Sequence, residues 1–337
     1  AAVRYPGRVP SLVRMSLTDG SVQELAEVVG AVPYKVTSLA FDDETETLFY
    51  TSNNTSYRNL LAYDVKTGSS RTLLTEARIG DLAFNPADRS LWGLRTNNGF
   101  VMIVRIPYPY REWKSVHVYP YGEVPFDLDI SRDGKLVSLS LAGPDKACSG
   151  MPVMQLRVMP TERLLTGDAT PTHQFELGTA VPEGFVFSED GRYLYGSSYY
   201  TGVSNIYRYD LAASKLEAVS NAETGYFRPL PLDDSNLLIF HYTAEGFVPA
   251  STPIQPTEDL SAITFLGEQI ATRYPAVQDW GAGPPSQVDY RSQVIDEVRP
   301  LRVTVERDTA AARCGALAAY YRKLRVDNVE ARLRSGN

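Results

Sequence analysis

A single turn phrase returns five times along this chain of 337 residues. It starts at Phe41 (FDDETETLFY), Phe84 (FNPADRSLWG), Ile130 (ISRDGKLVSL), Phe187 (FSEDGRYLYG) and Leu232 (LDDSNLLIF), and these anchors stand 43, 46, 57 and 45 residues apart. Each phrase joins the end of one alternating apolar run to the start of another through turn formers. A repeat of that length, built from short strands and turns, is the signature of a β-propeller blade, a meander of four antiparallel strands. An ordinary β-sandwich also has regular strands, but it does not need one turn phrase five times at this spacing. No apolar period of 3.6 residues runs between residues 30 and 270, which excludes a helical solenoid.

The fullest copy spans residues 182–221. Its four alternating runs are divided by Asp190-Gly191, by Thr201-Gly202 and by a polar link from Asp210 to Lys215. Asp-Gly dipeptides, here and at Asp133-Gly134, suit hairpins because glycine accepts positive φ. The second half of the unit repeats as well: residues 59–75 read like residues 205–220, a strand, an Asp-led turn and an outer strand. Residues 11–28 match this half alone, so they are expected to form the outer strands of a blade whose inner strands come from elsewhere. The long third spacing implies an insertion around residues 142–172.

The expected fold is therefore all-β, a propeller of about six four-stranded blades over residues 1–270. Residues 271–337 form an extension: a linker at Gly281-Ala-Gly-Pro-Pro-Ser, alternating runs at 287–294 and 300–306 that can close the ring, and a helix over 310–333. The competing source of the closing strands is polypeptide upstream of Ala1.

The formal net charge is −7. Residues 301–337 hold eight Lys/Arg and four Asp/Glu, a net of +4, so residues 1–300 sum to −11. An acidic propeller argues against nucleic acid as a partner. No apolar run approaches the ~20 residues of a membrane-spanning helix. No signal peptide is visible, and Cys148 and Cys314 set no disulfide framework.

The phrase from Phe187 to Tyr195, followed by Ile206-Tyr-Arg-Tyr-Asp-Leu and Leu216-Glu-Ala-Val-Ser, resembles the TolB-like β-propeller repeat, which also occurs in prolyl-oligopeptidase relatives. Residues 257–285, with Tyr274-Pro-Ala-Val and Trp280, resemble the segment that ends this propeller in large bacterial envelope proteins. There a gluzincin-type peptidase-like domain lies upstream and an outer-membrane barrel downstream. The resemblance implies a periplasmic or outer-membrane-associated scaffold that binds a protein or peptide on one face, or a spacer between those domains. Residues 309–337 show none of the alternating ten-residue strands of a barrel.

No catalytic motif accompanies the repeat. His-Glu-x-x-His is absent, and the histidines stand apart at His117, His173 and His241. There is no Gly-x-Ser-x-Gly elbow, no phosphate-cradling loop and no dinucleotide fingerprint, so no cofactor is expected. Asp127, Asp129 and Asp133 do not have calcium-loop spacing, and Asp133 reads as a turn residue. One constellation keeps an enzyme reading open. Asp81, Asp127 and Glu183 lie near the starts of successive inner strands, where converging carboxylates hold a divalent cation in lactonase-like propeller hydrolases. Carboxylates at strand starts serve equally well as acceptors for backbone N–H groups.

Overall fold

The computed structural model describes residues 1–3, 8–28, 36–53, 58–143, 152–178 and 180–256. They form six antiparallel sheets, each a meander whose strands neighbour one another in chain order. Blade 1 contains Ala2–Val3, Ser11–Met15 and Val22–Glu27. Blade 2 contains Val36–Asp42, Thr47–Asn53, Arg58–Asp64 and Ser69–Leu74. Blade 3 contains Ile79–Asn85, Ser90–Asn97, Phe100–Ile106 and Lys114–Val118. Blade 4 contains Val124–Ile130, Leu136–Gly143, Val153–Pro160 and His173–Glu176. Blade 5 contains Glu183–Phe187, Tyr193–Ser198, Asn205–Asp210 and Lys215–Ala218. Blade 6 contains Tyr226–Pro231, Asn236–Thr243 and Gly246–Pro253. The fold is the expected all-β, six-bladed propeller.

Its core is divided among the gaps between blades. Leu12, Leu48, Tyr50 and Tyr63 fill the gap between blades 1 and 2. Phe49, Ile79, Leu91 and Val104 fill the next. Trp92, Ile103, Leu139 and Leu141 join blades 3 and 4, and Val158, Phe185, Phe187 and Tyr207 join blades 4 and 5. Tyr195, Ile206, Leu237 and Ile239 join blades 5 and 6. A two-faced sheet with apolar side chains on both faces is stable only when a neighbour covers each face, which is why the strands carry short, dense apolar runs.

Four anchors are equivalent in register: Phe41, Phe84, Ile130 and Phe187 pair with Leu48, Leu91, Val137 and Leu194. The fifth slips by one. The strand of blade 6 ends at Pro231, which pairs with Leu237, and Leu232 lies in the turn beyond it. The connection from Pro231 to Leu237 is one residue shorter than that from Phe187 to Leu194, so counting from the turn misplaces the anchor.

Two other expectations are corrected. The run at 11–28 does not lack an inner neighbour, because Ala2–Val3 pairs with Ser11–Met15 through Ala2↔Leu12 and Val3↔Ser11. A two-residue strand is too short to show alternation. The segment 142–172 is not one insertion, since Val153–Pro160 within it is the third strand of blade 4. Pro152 and Pro160 bracket this strand and give it the look of a loop. The extra length includes the helix Thr161–Leu165, whose Leu164 is buried in the core between blades 3 and 4. Cys148, Cys314 and the expected features of residues 271–337 lie outside the described residues.

The last described strand has a proline-blunted edge. Ile254 N–H donates to Ser235 O, which sets the pairing parity and turns the backbone of positions 247, 249, 251 and 253 outward. Two of those four are Pro249 and Pro253, which have no N–H to offer an added strand.

Phe187 is buried between blades 4 and 5. Phe187→Ala is expected to cost about 3–5 kcal/mol, read as a shift in denaturation midpoint. Gly196→Ala is expected to destabilise by about 1–3 kcal/mol, because the new Cβ would collide with the ring of Phe185. An unchanged midpoint in both would show that these strand faces are misassigned.

Candidate functional site

The first strand of blades 3 to 6 bulges at one common place. The register passes from Gly80↔Leu94 to Ala83↔Trp92, from Phe126↔Ser140 to Asp129↔Ser138, from Glu183↔Ser197 to Val186↔Tyr195, and from Phe227↔Phe240 to Leu230↔Leu238. The residue at the bulge has positive φ: 47° at Asp81, 51° at Asp127, 61° at Gly184 and 46° at Arg228. A bulge breaks the ladder locally and leaves backbone N–H groups in need of acceptors.

The neighbouring blade supplies them. Ser38 Oγ accepts the N–H of Leu82 at 2.5 Å. Asp81 Oδ2 accepts that of Asp127 at 3.3 Å, and Asp127 Oδ2 accepts that of Gly184 at 2.8 Å. Gly184 has no side chain to continue the series. The N–H of Arg228 turns instead to Ser197 Oγ at 3.3 Å. One turn further down the channel, Asp129 Oδ2 accepts the N–H of Phe187 at 2.8 Å.

Asp81 and Asp127 are therefore brought together, as the sequence suggested, but each carboxylate ties one blade to the next. Glu183 is drawn aside to Arg228, at 3.6 Å in an exposed pair worth little in stability. Among the described residues no group of three or more His, Cys, Asp or Glu is arranged to hold a metal ion. Burial raises the Asp81 carboxyl above its ordinary value, and the charge of Asp127 raises it further. Burial pushes Asp129 up to about 6, against the pull of its backbone donors.

These residues line a central channel with two openings. The upper cavity, of about 470 Å³, is bordered by Ser38, Asp81, Asp127, Gly184 and Arg228. The lower funnel, of about 790 Å³, is bordered by the anchors Phe41, Phe84, Ile130 and Phe187, together with Leu232. Asp129 lines both. The arginines at the funnel are held by carboxylates: Arg132 by Asp43 at 2.6 Å, Arg192 by Asp210 at 3.2 Å and Arg208 by Glu217 at 2.6 Å.

The upper face differs in character. Tyr199 follows the second strand of blade 5, and Tyr242 and Phe247 face each other across the hairpin of the second and third strands of blade 6; the three are exposed at 54%, 48% and 59%. With Phe227 they form a chain of ring contacts: Tyr199 to Phe227 at 6.0 Å, Phe227 to Phe247 at 5.2 Å and Phe247 to Tyr242 at 5.2 Å. Sequence reasoning missed this patch because its residues come from two blades. The one available signal was Tyr199-Tyr200 ahead of the Thr201-Gly202 turn. The three histidines sit in strands of blades 3, 4 and 6, and Asp133 is a turn residue whose Oδ1 accepts from Ser131 Oγ and Lys135 N–H.

The structure is similar to that of TolB from Agrobacterium tumefaciens, with a TM-score of 0.52 and 16% identity over 69% of this chain and 78% of that one. The chain has a TolB-like propeller fold. A chain of a nidogen/laminin complex is similar at a TM-score of 0.52 and 11% identity, over 74% of this chain and 91% of that one. TolB from Acinetobacter baumannii follows at 0.49 and 14% identity, over 74% of this chain; the match spans 61% of that protein's length. At such identities the likeness concerns the fold alone. No family model matches the sequence, and no curated protein sequence matches it significantly.

Asp129 gives the channel a pH signature. Its folded-state value of about 6 lies above the ordinary carboxylate value of about 3.9, so the fold favours the protonated form. That contribution is present below about pH 4 and is lost as pH rises through about 6. Asp129→Asn keeps an oxygen for the Phe187 N–H and has no charge to bury. The variant's melting temperature is expected to gain on the native protein's between pH 4 and pH 7, and then to level off. A difference constant across that window would remove Asp129 from the buried channel.

Proposed function

We propose that this chain is a non-enzymatic propeller scaffold that binds a protein or peptide across its upper face, as a module of a larger bacterial envelope protein in the periplasm or at the outer membrane. The observation that carries the reading is the aromatic patch of exposed Tyr199, Tyr242 and Phe247 joined through half-buried Phe227. Amphipathic rings clustered on a surface are the usual anchors of protein interfaces, and a monomer has no folding reason to expose them together. The channel carboxylates, engaged by backbone N–H groups, favour a structural role over a hydrolytic one. The envelope setting rests on the repeat phrases and on residues 257–285. Residues 1–270 then act as the binding unit and 271–337 as a separate extension.

The adjacency of Asp81 and Asp127 favours one alternative, a metal-dependent hydrolase of the lactonase-like kind. Two measurements separate the readings. The protein is expected to show no turnover of esters, lactones or peptides with calcium, manganese or zinc. A partner captured from bacterial envelope extract is expected to be lost with Tyr199→Ala/Phe247→Ala and retained with Arg132→Ala at the lower funnel. Metal-dependent turnover abolished by Asp127→Ala would establish the hydrolase. Retention of every captured protein by the aromatic variant would move the binding off this face, and capture of no partner by the native protein would leave the spacer role standing.

A further inference from the structure

We infer that Arg95, stacked on Trp113 between blades 2 and 3, is the centre of a carboxylate-binding site. Arg95 lies in the second strand of blade 3, opposite Ile79 and Met102, and its side chain is half-buried. Its guanidinium carbon stands 4.5 Å from the centre of the Trp113 ring, and Nε donates to Ala77 O at 3.1 Å. One edge of the planar group is thus fixed, and one face is covered by an indole. The two Nη groups have no hydrogen-bond partner among the described residues.

The second element is Arg78. It leads into the first strand of blade 3 in the left-handed region, at φ 57°, and its Nη1 donates to Asn97 Oδ1 at 3.0 Å. Its positive charge, after burial, is what holds Arg95 below its ordinary value. Among the described residues no carboxylate lies within ion-pairing distance of Arg95, although eight other arginines have one. A half-buried guanidinium such as that of Arg95, with no carboxylate beside it among the described residues, gains free energy when an anion pairs with it.

The geometry selects the class of anion. A guanidinium held flat by an aromatic ring presents its free Nη edge in one plane, and a planar two-oxygen acceptor matches that edge bidentately. The site therefore takes a carboxylate, such as an acidic side chain or a chain terminus, and the net charge of −7 means that no general field draws anions to it. It is separate from the aromatic patch of blades 5 and 6.

The probes are acetate, inorganic phosphate and chloride, titrated at constant ionic strength while the Arg95 Nε–H and Trp113 indole N–H resonances are followed. Acetate is expected to shift both saturably, and phosphate and chloride only weakly and without saturation. Arg95→Lys keeps the charge and loses the fork, so acetate affinity is expected to fall by about tenfold. Arg78→Gln leaves the stacked fork in place, and is expected to weaken acetate severalfold even if Arg95→Lys fails to fold. Tyr199→Ala/Phe247→Ala is expected to bind acetate as the native protein does, so loss of the docking reading leaves this site untouched. The inference is overturned if acetate behaves as chloride does, if phosphate alone saturates, or if affinity is unchanged in both arginine variants.

Discussion

Everything in this molecule depends on apolar packing between neighbouring blades. A single four-stranded meander has no inside: residues on both of its faces, such as Phe49 and Tyr50 in blade 2 or Leu139 and Leu156 in blade 4, are buried only because another blade covers them. Fully burying one such side chain contributes roughly 1.5–3 kcal/mol, so each gap outweighs the hydrogen bonds that cross it. Stability is accordingly distributed around the ring in repeated units, and the order of the blades follows the chain.

Within that frame the channel solves a local problem. The first strands crowd toward the axis, and the bulges that let them do so leave N–H groups without ladder partners. Acceptors at one recurrent position, Ser38, Asp81 and Asp127, reach across to the next blade and restore them. The charge this places near the axis is balanced in part by Arg58 and Arg228, both of which lower the Asp81 carboxyl. Gly80 belongs to the same arrangement, because a Cβ there would collide with the Arg58 guanidinium. Carboxylates that suggest a metal site in one dimension serve backbone satisfaction in three.

The two ends of the propeller are finished differently. Around the lower funnel, turns are laced by ion pairs between blades, such as Arg89 with Asp42 at 2.7 Å and Arg132 with Asp43 at 2.6 Å. Such pairs hold their side chains in one geometry and leave little to offer a partner. At the upper end, rings stand exposed on strand ends and at the turns beside them, on a backbone fixed by the strands beneath. Binding surfaces on rigid scaffolds take this form, because the strands carry the stability and the turns are released to vary.

The turn phrases at Phe41, Phe84, Ile130 and Phe187 determined the architecture by themselves. Hairpin chemistry and period-two alternation are local properties, and a repeat of 40 to 50 residues admits few folds. Where two local signals competed, the reading slipped. Pro231 and the shorter turn displaced the fifth anchor, Pro152 and Pro160 disguised a strand, and Ala2–Val3 was too brief to show a pattern. The proximity of Asp81 and Asp127 was legible, since both sit at the same place in the repeat. Between metal ligand and backbone acceptor the sequence left both readings open, because the acceptor role depends on N–H groups in the next blade, 46 and 57 residues away. The aromatic patch and the Arg95–Trp113 stack were decided by tertiary structure alone. The patch joins residues from two blades, and the stack joins a strand of blade 3 to the link before its outer strand, so neither proximity can be read from local pattern.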